Sequence, residues 1–396
     1  MKKLSLLFML TLSTLSVAAD EYTDSVTKVV YSYNPGSGVA QVKTGKEAKE
    51  DIAILESFTV DGQEYVVDCV EDSSFKENKW ITSVSFPPTI KVINSDAFLD
   101  CTSLTSVHLP EGLMRIGLRS FQGCAISSLD LPGSLWEVAW AAFWHCDSLK
   151  SLRISSTTDG IHPEAIRFCD ALEAIVVDEG HELIDSRDGC NAIIVTATDK
   201  LIMGCQNTVI PPSVKCIGES AFKACQTLKE IVIPESVDTI LTQAFYNCRN
   251  LSSVSLPNSL QIIGPLAFMR SGLQTVTIPS GVTEIWKNAF AEIPTLTSIT
   301  SLIEEPFNLT EPICDEETYS HTTLYVPAGT KKKYTAAGWT DFRRIVELEK
   351  SSVGDAISES TTAIPSTFYD LQGRRLSEEP SKGVYIKDGR KYEKRF

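Results

Sequence analysis

Positive charge is in short supply. The 396 residues carry 36 Lys and Arg against 51 Asp and Glu, a formal net charge of −15. Nucleic-acid binding needs a basic face that displaces counterions from phosphate, and docking on anionic lipid needs one too. The balance weighs against both. Histidine is scarce: His108, His145, His162, His181 and His321 are the only five. None stands in His-Glu-x-x-His spacing, and the chain has no Gly-x-Ser-x-Gly elbow, phosphate loop or Gly-x-Gly-x-x-Gly. Cys146 follows His145, but adjacent residues of a regular repeat divide between surface and core, whereas a nucleophile and its base must converge. No catalytic, cofactor-binding or metal residue is assigned. The 11 cysteines fall well below a disulfide scaffold's share, and 43% hydrophobic residues suffice for a real core.

Long apolar runs are confined to the start. Lys2 and Lys3 precede the run Leu4–Leu15, and Val17-Ala18-Ala19 offers small residues at a cleavage site before Asp20. Residues 1–19 therefore read as a secretory signal peptide, the run being shorter than the roughly 20 residues a membrane span needs. No later segment has that length, so no membrane insertion is expected. The mature chain is expected outside the cytoplasm, secreted or on the cell surface.

What the chain has in abundance is repetition. Phe75, Phe98, Phe121, Phe143, Ile166, Phe222, Phe245, Phe268 and Phe290 recur at steps of 22 or 23, with one interval of 56. Three residues after each stand Asn78, Cys101, Cys124, Cys146, Cys169, Cys225, Cys248, Ser271 and Ile293. Pro87, Pro110 and Pro132, then Pro211, Pro234, Pro257 and Pro279, keep the same step. Within a unit, Val107 and Leu109 alternate with Ser106 and His108, the period of a half-buried strand, and Pro110 ends it. The Ile-Gly-x-x-Ala-Phe stretch is too short for more than one helical or 3₁₀ turn. Such units cannot bury their own apolar side and must stack, about 4.8 Å apart, into a solenoid.

The unit resembles the BspA-like branch of the leucine-rich repeats over residues 66–302, and Leu228–Cys248 follows most of its pattern. The resemblance implies a right-handed β/α solenoid of short parallel strands, β-rich and capped at both ends. It also implies a bacterial surface protein that adheres to host proteins or cells, with no catalytic residues to carry over. Residues 20–65 should form a β cap with a strand at Ser57–Val60. The 56-residue interval places an insertion near 178–207, with a hairpin of Ala192–Val195 and Leu201–Met203 about Thr198–Lys200. Residues 303–349 should close the other end, with a last strand at Leu324–Pro327, a helix over Thr330–Gly338 capped by Thr330, and Trp339 and Phe342 under the core. A linker follows over 350–365. Residues 366–396, with 8 basic and 5 acidic residues, suit three short strands and resemble the C-terminal sorting domain of type IX secretion substrates.

Candidate sites are surfaces. The outward strand positions are Ser85, His108, Asp130, Arg153, Val176, Val232, Ser255, Thr277 and Thr300, small and hydroxyl-rich, without the aromatic platforms a glycan cleft favours. Glu182, Asp185, Asp188 and Asn191 supply hard oxygens for calcium but equally suit turns. Cys190 and Cys205 either pair across the hairpin or stay free. The six thiols Cys101, Cys124, Cys146, Cys169, Cys225 and Cys248 should form inward ladders without mutual disulfides, because parallel neighbours stand too far apart at Cβ. Trp136, Trp140 and Trp144 fall where other units hold Lys215, Glu219 and Lys223, so they should face solvent, and Met114 and Leu118 enlarge the patch. The reading is a non-enzymatic scaffold binding a protein, with a surface glycan as the alternative ligand and Trp136, Trp140, Trp144, Met114 and Leu118 as the contact patch.

Overall fold

Each coil but that of Ile166 buries an anchor phenylalanine, and the phenylalanines stack. In the computed structural model, which describes residues 19–349 and the backbone of four strands within 368–394, Phe75, Phe98, Phe121 and Phe143 lie nearly parallel with centroids 4.6–5.3 Å apart. Phe222, Phe245, Phe268 and Phe290 repeat this at 5.0–5.5 Å. The expected signal peptide, but for its last residue, and the expected linker lie outside the described residues.

Parallel strands run down two sides of the stack, giving a β-solenoid. One side carries the strands with the outward row, such as Ser128–Leu131, which Pro132 ends, and Ser151–Ile154 and Ala174–Val177, which Ser155 and Asp178 follow. The other carries two-residue strands such as Val92–Ile93, Arg115–Ile116 and Glu137–Val138. The third side holds the anchor residues and differs from expectation: it contains no helix. Leu99 N–H bonds Asp96 O and Cys101 N–H bonds Phe98 O, two successive turns. Meanwhile the N–H groups of Asp96, Phe98 and Asp100 donate to Leu118, Ser120 and Gln122 in the next coil. Asp96 and Asp100, on either side of the anchor, are left-handed (φ 57° each), which a helix would forbid. The same pair of left-handed positions recurs at Ser220 and Ala224, and at Gln243 and Asn247.

The cysteines support this third side. The Sγ–H of Cys101, Cys124, Cys146, Cys169 and Cys248 donates to the carbonyl of the phenylalanine one coil back, at 2.9–3.4 Å. At the first coil Asn78 takes this place, and its Nδ2 reaches Gly45 O and Ala48 O. All eleven cysteines are free, including Cys190 and Cys205.

The extra residues near 178–207 repeat the N-terminal cap. Asp20–Thr23, Val30–Tyr33 and Val39–Thr44 form an antiparallel meander whose third strand pairs parallel with Gln63–Val70. Ile184–Asp185, Ala192–Val195 and Lys200–Gly204 form another, whose third strand pairs parallel with Cys216–Ile217. The correspondence extends to the bulge. Val30 and Tyr31 oppose Thr44 and Val42; Ile193 and Ile194 oppose Met203 and Leu201. Each meander meets its phenylalanine stack through a glycine: Gly45 N–H bonds Ser74 O, and Gly204 N–H bonds Ala221 O. A Cβ on Gly45 would lie 1.8 Å from the Phe75 ring, and one on Gly204 2.2 Å from Phe222. The chain is thus two stacks in tandem, each with its own cap; its buried apolar residues form two clusters, and the second cap contributes to both, Ile194 and Leu201 to the second and Ile193, Met203 and Cys205 to the first.

The strand Ser57–Val60 is present, and Trp339 and Phe342 are buried as expected. The helix spans Lys331–Ala336, but the Thr330 hydroxyl turns back to Pro327 O instead of capping it. Thr323–Val326 is followed by one more parallel strand, Arg344–Glu347. The tail has four antiparallel strands rather than three, Phe368–Tyr369, Arg375–Leu376, Gly383–Lys387 and Arg390–Lys394.

Candidate binding surfaces

The outward strand row falls in register as read from the repeat. Ser85 pairs with His108, Asp130 with Arg153, Arg153 with Val176, Val232 with Ser255, Thr277 with Thr300, and Thr300 with Tyr325. Arg153 makes a two-pronged ion pair with Asp178 at 2.8 and 2.9 Å, so its charge is already matched.

Two acidic residues of the second cap, Asp185 and Asp199, are likewise engaged. Asp185 is gripped by Arg187 at 2.6 and 2.7 Å and accepts from Thr196, and Arg187 reaches on to Asp199. These bonds outweigh the carboxyl's burial and hold it below its ordinary range. Among the described residues no group of three or more His, Cys, Asp or Glu side chains is placed to hold a metal ion. His145 lies on the surface 3.5 Å from Asp147, whereas the Cys146 thiol points inward to Phe121 O. They do not converge.

Trp136 and Trp140 are exposed, 54% and 40%, and Met114 and Leu118 are exposed beside them. Trp144 corrects the reading. It is half-buried, packed edge-on against Phe168 with centroids 5.0 Å apart and against Trp140 at 5.4 Å. His145 stacks on Phe168 at 4.9 Å, so the flank is a four-ring cluster of Trp140, Trp144, His145 and Phe168. Phe168 escaped the sequence reading. Its signal is a large aromatic at a left-handed position (φ 58°) where other coils place Asp100, Gly123, Ala224 or Asn247. Such strain on a bulky residue is uncommon and gathers at functional sites.

Beneath the cluster lies a column of unsatisfied polar atoms. Gln122, Trp144 and Arg167 each follow the anchor residue of successive coils. Gln122 Oε1, Trp144 Nε1 and Arg167 Nε are all buried without a hydrogen-bond partner. The nearest carboxylate oxygen to Arg167, on Glu164, is 3.7 Å away. Burial pulls the Arg167 guanidinium below its ordinary pKa.

Among the described residues no helix is long and apolar enough to cross a membrane. No curated protein matches the chain in sequence. Among solved structures it resembles the pneumococcal vaccine antigen PcpA, at 20% identity and TM-score 0.57, over 84% of this chain and 99% of that one. It also resembles a leucine-rich repeat protein from Bacteroides ovatus, at 21% identity and TM-score 0.54, over 83% of this chain and 77% of that one. At such identities the likeness concerns the fold. The sequence signature of the BspA-type leucine-rich repeat region matches six copies, over residues 69–188 and 202–306. With the phenylalanine ladders and parallel coils described above, these matches make the chain a member of the BspA-type leucine-rich repeat family.

Proposed function

We propose that this protein is a non-enzymatic scaffold, exported and displayed outside the cell, that binds another protein through the aromatic flank of its first stack. The observation that carries the reading is the aromatic flank, where exposed Trp136, Trp140 and His145 stand with half-buried Trp144 and Phe168. Tryptophan is enriched at binding hot spots. The leader, the absence of a catalytic constellation in the sequence and the family all accord with such a role. The expected ligand is an extracellular or cell-surface protein of a host.

The test is an array of matrix proteins, cell-surface proteins and glycans, probed with the protein and with Trp136→Ser/Trp140→Ser. Both side chains are exposed, so the melting temperature should hold while binding falls on the order of 30-fold, as for a hot-spot pair. Trp144→Ser should lower stability as well, because its ring packs on Phe168. Unchanged binding by the double variant would remove the patch from the reading. Hits confined to glycans would favour the alternative, in which exposed tryptophan faces stack on sugar rings.

The basic tail, on this reading, is a separable sorting module. Deleting residues 366–396 should leave the solenoid's melting temperature unchanged and shift where the protein accumulates. Undiminished surface display after the deletion would count against a sorting role.

A further inference from the structure

The two caps differ on one face. In the first, the side turned away from the stack carries Val30, Lys43 and Thr44, and Lys43 is paired with Glu21 at the surface. In the second, the corresponding residues are Ile193, Ile202 and Met203. That apolar face meets the last coil of the first stack, where Gly160 presses against Trp136 O and Ile161 bridges to Val138. The two surfaces do not close fully on each other. Between them lies a cleft of about 430 Å³ walled by Ile161, Ile166, Ile184, Ile193, Ile202 and Met203.

Its polar groups are largely spoken for. His181 Nε2 bonds Thr158 O at 2.8 Å and its Nδ1 accepts from Leu183 N, which ties the two stacks together at one end. His162 Nδ1 accepts from Glu164 N. Lys200 lies 3.3 Å from Glu219, and Asp159 is exposed on the rim. Leu183, 60% exposed, stands among the lining residues. The surfaces meet in part, since Ile193 and Met203 are buried in one cluster with Ile166 of the first stack, and the space left open beside them, with aliphatic walls and a few fixed polar groups, has the form of a small-molecule pocket.

We infer that the seam between the two stacks binds a small, largely apolar ligand with an aromatic or branched aliphatic body and a neutral or cationic polar end. The walls select the body. The rim selects the charge: it carries two carboxylates, Asp159 and Glu219, against one lysine, Lys200, which Glu219 already pairs, so an anionic end would meet repulsion. The site is separate from the tryptophan flank, and its occupancy does not depend on the protein-binding role.

The experiment uses the full chain and two matched probes, tryptamine and indole-3-propionate, followed by saturation-transfer NMR and calorimetry. Tryptamine should bind, with indole-3-propionate weaker by about tenfold or more, the factor of one favourable charge contact. Ile202→Lys restores at this position the residue type of the first cap and should abolish tryptamine binding. Leu183→Ser, a change at an exposed position, should weaken it and serves should Ile202→Lys fail to fold. Glu219→Gln should narrow the gap between the probes. Failure of tryptamine to bind at millimolar concentration overturns the inference. So does equal affinity for the two probes, or tryptamine binding that Leu183→Ser and a folded Ile202→Lys leave unchanged.

Discussion

Valine in place of Gly204 should unfold the second stack and leave the first standing. The added side chain begins with a Cβ 2.2 Å from the Phe222 ring, and that ring is held in line by Phe245 behind it. Neither can yield without opening the ladder that continues through Phe268 to Phe290. Overpacking of well-filled cores costs about 1–3 kcal/mol, and a clash with a ring that cannot rotate away belongs at or above the top of that range. Because each stack has its own cap and most of its buried residues cluster separately, the loss should be largely local, reaching the first stack only at Ile193, Met203 and Cys205, which pack with it. Hydrogen exchange would read it: amides of Phe222, Phe245 and Phe268 should lose protection while those of Phe98 and Phe121 keep it. Gly45→Val should give the mirror result, since its Cβ would meet Phe75 at 1.8 Å. If either variant melts as one unit across both stacks, the tandem arrangement is not how the protein gains its stability.

Alkali should unfold the protein steeply, beginning near pH 9. Burial pushes the thiols up: to about 12 for Cys69, Cys169, Cys190 and Cys205, and to about 11 for Cys216 and Cys225. Cys124, Cys146, Cys248 and Cys314 are raised as well, again chiefly by burial. A folded-state pKa above the unfolded value means the folded chain holds protons that the unfolded chain releases. Stability is therefore intact below the ordinary thiol pKa of about 8.5, and falls as pH climbs from there toward 11–12. Each such thiol contributes a slope of about 1.4 kcal/mol per pH unit. Five acting together would remove about 7 kcal/mol per unit, within the range of a whole domain's stability. Melting followed under reductant from pH 7 to 10 should show a plateau and then a drop on the order of 20 °C per unit. A profile flat through pH 10 would mean that the thiols titrate in the folded state.

The sequence showed the repeat more completely than it showed the sites. Phe anchors, prolines and outward strand residues keep a 22- or 23-residue step, and a stacked coil converts that step directly into neighbours. Hence Asp130, Arg153 and Val176 align as read. Trp136 and Trp140 were legible for the same reason, being aromatic at positions that are otherwise polar. Trp144 was not, because its burial depends on Phe168, which the irregular coil of Ile166 places against it. The second cap was visible only as a hairpin. Ala192–Gly204 and Val30–Gly45 share few residues beyond the closing glycine; what they share is pairing direction and a bulge, and neither leaves a mark in composition. The seam cleft was out of reach, since it arises where Ile161 comes to face Ile202, forty-one residues on.

The hydrogen-bond ladder along the anchor side has an electrical consequence. In ordinary sheets neighbouring peptide dipoles alternate and nearly cancel. Here the N–H groups of Ser73, Phe75 and Glu77, then of Asp96, Phe98 and Asp100, point the same way along the stack axis, while intervening amides such as Lys76 and Leu99 close turns within their own coil. The dipoles add, so one flank of each stack is polarised, with its positive end toward the C-terminus. The chain neutralises that end of the second stack with a negative charge. Asn288 and Phe290 donate to the carbonyls of Pro312 and Ile313, and Glu292 N–H donates to the Asp315 carboxylate at 2.7 Å. Any coil added to or removed from this stack would have to carry an anion to the new terminus.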